Sequence, residues 1–134
     1  MTRPIDIKPH LAAMSVVFTL GAPTALAADP VGLWRTQPDQ KGQVANVKAT
    51  PCGSAICGTI VKVYDRGGTP IAAPTVGQKV FWDMARQGTD YVGRAFVPAH
   101  QREYRGRLSV AGNRMTVSGC LGPVCQSQVW TRLQ

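Results

Sequence analysis

The residues of this chain best able to do chemistry are four cysteines in two matched pairs, Cys52/Cys57 and Cys120/Cys125, each bracketing four residues. Thiols can hold a metal, exchange electrons or cross-link the chain. Zinc sites prefer cysteines two to four residues apart. A redox pair normally has two intervening residues and a helix N-terminus that lowers the thiol pKa. A bracket of four fits neither pattern well. It does fit two strands closed by a short loop. Residues flanking a four-residue hairpin loop face each other at roughly 4.5–5.5 Å, within reach of a disulfide. Four cysteines allow three pairings, and the spacing favours the two local ones, Cys52–Cys57 and Cys120–Cys125.

Other reactive side chains are sparse. Beyond residue 27 there is one histidine, His100, and one glutamate, Glu103, with Asp29, Asp39, Asp65, Asp83 and Asp90 as the remaining carboxylates. Ser54, Ser109, Ser118 and Ser127 lack the glycine-flanked elbow of a hydrolase nucleophile. No paired carboxylates, phosphate loop or metal-binding histidine cluster is present. The expectation is a protein that is not an enzyme and that uses neither cofactor nor metal.

Charge is the other chemical signal. The chain carries a net charge of +8. Arg105 and Arg107 alternate on one segment with Glu103, Arg102 precedes them, and Arg94 lies on the segment before. Together they could form a basic strip for phosphate or carboxylate groups. The plainer reading is a solvated face. Nucleic acid is not expected, because aromatic residues do not interleave with the basic ones.

The N-terminus says where such a strip would work. Arg3 and Lys8 precede an apolar run from Leu11 to Pro23, and Ala25-Leu26-Ala27 follows with small residues at the two positions a signal peptidase reads. Residues 1–27 therefore read as a cleaved secretory signal, although Asp6 is unusual there. The run of 13 residues is too short for a retained span, which needs about 20. No cysteine follows the cleavage site and no Arg-Arg pair precedes the run, so neither a lipoprotein nor export in the folded state is indicated. What remains, residues 28–134, is one domain of 107 residues with no transmembrane segment. Loss of Arg3, Lys8 and Asp6 leaves it at +7. The expected location is the periplasm, where disulfides persist and the available anions are envelope components.

The positioning elements read as strands throughout. Runs rich in Val, Ile, Thr, Tyr and Trp recur every ten residues or so, separated by Gly, Pro, Asn or Asp. Eight strands are predicted, over Val31–Gln37, Val44–Cys52, Ile56–Asp65, Val80–Gln87, Asp90–Pro98, Glu103–Val110, Arg114–Leu121 and Val124–Leu133. Ala45, Val47 and Ala49 alternate with Val44, Asn46 and Lys48, and Tyr104, Gly106, Leu108 and Val110 alternate with Glu103, Arg105, Arg107 and Ser109. Such alternation puts one face on a core and the other in water. The one long connection, Arg66 to Lys79, shows no strand pattern and reads as a lid or a variable surface segment. Eight antiparallel strands joined mainly by short hairpins predict an all-β, up-and-down barrel, which closes its own edges. A barrel of that size either fills with side chains or holds one small ligand.

The chain resembles a family of exported bacterial proteins, the domain of unknown function 2147 (DUF2147) family. The likeness rests on Gly32-Leu33-Trp34, on Cys52 with Ile56-Cys57-Gly58-Thr59-Ile60, and on Tyr91-Val92-Gly93-Arg94 and Tyr104-Arg105-Gly106. It ends on Gly119-Cys120-Leu121-Gly122 and Trp130-Thr131-Arg132. Many members carry an Asn-Pro-Asp segment in the long loop; here it reads Gly68-Thr69-Pro70-Ile71, so no role of that segment carries over. The resemblance implies no activity. The chain is also similar to the lipocalin-like (calycin) barrels, which open on Gly-x-Trp and carry an Arg on the last strand that packs on the Trp. Gly32, Trp34 and Arg132 match those roles as barrel-closing residues.

This resemblance implies a binder of a small apolar or amphipathic ligand. Trp34, Tyr104, Leu108, Met115 and Val117 are the expected inward positions, with Phe81 and Trp82 near the mouth. The alternative is a filled barrel that acts as a scaffold, presenting Arg94, Arg102, Arg105, Arg107 and the long loop to an anionic envelope component.

Overall fold

The computed structural model describes residues 2, 4, 12–21 and 28–134. Arg3, Lys8 and the Ala25-Leu26-Ala27 motif of the expected signal lie outside the described residues. No helix among the described residues is long and apolar enough to cross a membrane.

Nine strands are present among the described residues: β1 Gly32–Arg35, β2 Val44–Cys52, β3 Ala55–Tyr64, β4 Pro70–Ile71, β5 Lys79–Gln87, β6 Asp90–Val97, β7 Arg102–Ala111, β8 Arg114–Leu121 and β9 Val124–Arg132. Setting aside the two-residue β4, each strand pairs antiparallel with the next, and β9 returns to β1. The result is a closed, eight-stranded up-and-down barrel. The alternation read from the sequence sets the faces. On β7 Gly106 and Leu108 are buried while Arg105 and Arg107 face solvent, and on β2 Val47 and Ala49 are buried.

Large side chains fill one half of the interior. Trp34, Phe81, Met84, Leu108 and Met115 are fully buried with Val47. The Phe81 ring lies against Gly58, where any Cβ would overlap it, so glycine at that position lets the ring cross the lumen. We call this packed half the closed end.

The cysteine hairpins differ from the expected geometry while keeping the expected bonds. Both disulfides are formed, Cys52–Cys57 and Cys120–Cys125. The loops inside them are two residues long, not four, because Gly53 and Gly122 take φ of +62° and +55°. Ser54 and Pro123 stay at negative φ, which makes these turns type II′, matched to strand twist. Cys120 consequently faces Cys125 directly, with Cα atoms 4.1 Å apart. Cys52 faces Ala55 and reaches Cys57 diagonally across 5.7 Å. The first bond lies at the closed end and the second at the opposite end.

Two segments depart from the predicted pattern. β1 stops at Arg35 rather than Gln37. Thr36 turns toward β2, donating its N–H to the Ala45 carbonyl and accepting the Ala45 N–H on Oγ1. Asp39 then caps the turn through the N–H groups of Lys41 and Gln43. The long connection is not structureless either. β4 pairs with Val63 and Tyr64, and the Gly77 N–H donates to the Ile60 carbonyl. Ile71 and Ala73 pack on the core. The segment is a strap along β3 rather than a free lid.

Candidate functional site

The closed end is sealed by residues from both ends of the described domain. Trp34 is fully buried and donates its indole N–H to the Pro30 carbonyl at 2.8 Å. The Arg132 guanidinium lies 4.3 Å from the Trp34 ring centroid. It also donates to the carbonyls of Val31 and Asp29, at 2.9 and 2.8 Å. A partly desolvated cation over an indole contributes about 1–2 kcal/mol. Gly32 sits at φ +145°, where a Cβ would overlap the Gln134 carbonyl oxygen. Gly32, Trp34 and Arg132 thus meet in one closure.

The other half of the barrel opens at the mouth. An open cup of about 1270 Å³ runs from mid-barrel to the mouth. Ile60, Val63, Val80, Ala95 and Trp130, each at most 8% exposed, border it together with Val117. Gln126 and Gln128 add amides from β9, and Tyr104 and His100 stand toward the rim. His100 Nδ1 lies 2.8 Å from the Tyr104 hydroxyl, with the rings edge-on. This arrangement offers an apolar interior under a polar mouth.

The residues expected to face inward divide by depth. Tyr104 and Val117 line the cup. Leu108, Met115 and Phe81 are inward but lie in the packed half, with no surface on the cup. Phe81 therefore is not at the mouth; it spans the middle, its ring centroid 6.1 Å from that of Trp130. Trp34 faces inward but is shut beneath Arg132. Trp82 is not at the mouth: it pairs with Arg94 on the outer face, since Phe81 beside it takes the inward position. Trp130, Gln126 and Gln128 were missed. Period-two alternation along β9 from Trp130 puts Gln128 and Gln126 on the same face.

The basic strip is partly neutralised. Arg94 pairs with Glu103, and Arg107 pairs with Asp90 at 2.8 Å. Arg94 and Arg105 are direct cross-strand neighbours on the outer face. Arg102 is not part of that face, because it opposes Val97 and so shares the inward phase of Tyr104 at the exposed mouth. Exposed pairs like these contribute about 0–1 kcal/mol, but they do reduce the free charge on the strip.

A closed antiparallel barrel, sealed by an Arg–Trp contact at one end and open at the other, defines the lipocalin-like class. The fold is similar to that of protein HP1028 from Helicobacter pylori, described as belonging to the lipocalin family. The TM-score is 0.64 at 15% identity, over 80% of this chain and 84% of that one. Residues 32–132 match the family described as an uncharacterized protein conserved in bacteria, DUF2147, and the chain belongs to that family. No curated protein matches the sequence.

Proposed function

We propose that this protein binds a small amphipathic ligand in the open half of its barrel, tail inward and polar group at the mouth. The observation that carries this reading is the cup itself. Valine, isoleucine and tryptophan side chains surround its depth, and Gln126, Gln128, Tyr104 and His100 stand above them. An apolar cavity with a few placed polar groups is the usual form of a small-molecule site. The proposal is of a binder and not a catalyst, working in the periplasm after loss of residues 1–27. Its two disulfides support an oxidising location. Envelope anchoring through the basic strip is the lesser reading, because Arg94 and Arg107 already have carboxylate partners.

Native mass spectrometry of protein purified from the periplasm tests the proposal. The expected result is a co-purifying mass of lipid size that is lost in Val117→Trp, which fills the cup. A clean apo mass, together with no saturable binding of lauric acid, would sink it.

A further inference from the structure

The barrel wall has a seam on the mouth side. β9 is nine residues long, but β1 has only four, and they pair only at Trp34↔Arg132 and Arg35↔Thr131. Beyond Arg35 the chain turns away toward β2, so β9 runs on to Val124 with no strand among the described residues on that side. A side chain covers the first open position: Gln37 Oε1 accepts the Val129 N–H at 2.8 Å. It takes the place that a backbone carbonyl of a continuing strand would occupy.

The register fixes which groups point into the seam. Cys120 and Cys125 oppose each other with Cα atoms 4.1 Å apart, the narrow spacing of a non-hydrogen-bonded pair. The N–H and C=O of Cys125 therefore point away from β8, and those of Ser127, two residues on, do the same. Antiparallel pairing needs such a row, repeating about every 6.8 Å. Native sheets guard such edges with charge, proline or a bulge. Residues 124–129, Val-Cys-Gln-Ser-Gln-Val, carry no charge and no proline, and all six are exposed. Val124 keeps 68% of its surface in solvent. The seam also opens on the cup, which Gln126, Ser127 and Gln128 line opposite Gln37, Pro38 and Lys41.

We infer that the mouth-side edge of β9 receives an extended, uncharged polypeptide segment of a partner protein, which adds as a strand along Cys125 and Ser127. Backbone hydrogen bonds hold it, and alternate side chains enter the cup beside Gln126 and Gln128. This is the physics of strand addition, where the ladder gives affinity and alternate pockets give selectivity. A row of backbone donors and acceptors at this spacing is complementary to another backbone rather than to a headgroup or an ion. A second copy of this chain is disfavoured because residues 28–134 carry +7 each once Arg3, Lys8 and Asp6 are discounted from the chain's +8.

The test uses isotope-labelled protein and a synthetic ten-residue peptide alternating threonine and valine. The peptide is expected to slow amide exchange at Cys125 and Ser127 at least tenfold. Ser127→Pro removes an N–H that faces the seam rather than β8, so the fold is retained and peptide binding is lost, whereas Ser127→Ala binds normally. Should Ser127→Pro fail to fold, the same peptide N-methylated at every second residue serves instead. Methylation in the phase that faces β9 is expected to abolish protection. Unchanged exchange, binding to Ser127→Pro, or binding of both methylated phases overturns the inference. So does protection of these amides by protein concentration alone, which would mean that a second copy fills the seam.

Discussion

At Arg132 one guanidinium stacks on Trp34 and donates to two backbone carbonyls, those of Asp29 and Val31. Lysine keeps the charge but lacks the planar fork that makes these contacts together. Arg132→Lys is therefore expected to cost about 1–2 kcal/mol. In a domain of this size that lowers the thermal midpoint by about 5–10 °C, measurable by circular dichroism. An unchanged midpoint would mean that the stack is incidental. The closure was legible in the sequence because its residue types are specific: Gly32, Trp34 and Arg132 have few interchangeable substitutes. The cup was less legible. Its walls are ordinary valines and isoleucines, and alternation marks them as inward without saying whether anything fills the space between them. Depth along the barrel decides that, and depth depends on how far Phe81 and Met84 reach across the lumen.

The hairpins are the elements best foreseen, since turn residues and β-branched runs act over short distances. Their detail was not. Turn chemistry at Gly53 and Gly122 shortens the loops and so sets one disulfide square across the ladder and the other diagonal to it. The strap of residues 66–79 was missed for a related reason. Pro70–Ile71 is too short to show a period, and it becomes strand only by pairing with Val63 and Tyr64. Each disulfide closes a small loop, worth about 2 kcal/mol on a chain-entropy account. Replacing Cys120 and Cys125 together by alanine is expected to lower stability by about that amount in urea unfolding. Exchange should quicken at the Leu121–Val124 tip and stay unchanged at β1. A loss of protection that reached β1 would show that the clip supports more than its own hairpin.

The barrel as a whole depends on a junction between residues about a hundred positions apart. Besides two strand pairs, the Leu33 N–H donates to the Gln134 carbonyl at 2.8 Å, and the Leu133 N–H donates to the Leu33 carbonyl at 2.7 Å. Such long-range pairings are slow to form and contribute only once the intervening chain is ordered. Removing residues 131–134 deletes Arg132 and this junction together. The truncated chain is expected to lose its cooperative thermal transition while keeping strand signal in the far ultraviolet. A sharp transition within a few degrees of the parent would show that the hairpins alone define the fold.

The two disulfides sit at opposite ends of this barrel and in different surroundings. Cys57 is buried at the closed end, whereas Cys125 is exposed beside the open edge of β9. A thiol reagent arriving from solvent meets the mouth bond first. Partial reduction is therefore expected to release the rim hairpin while the base remains locked. The molecule can loosen its entrance without risking its foundation, and the order in which its bonds open is written into where each cysteine lies.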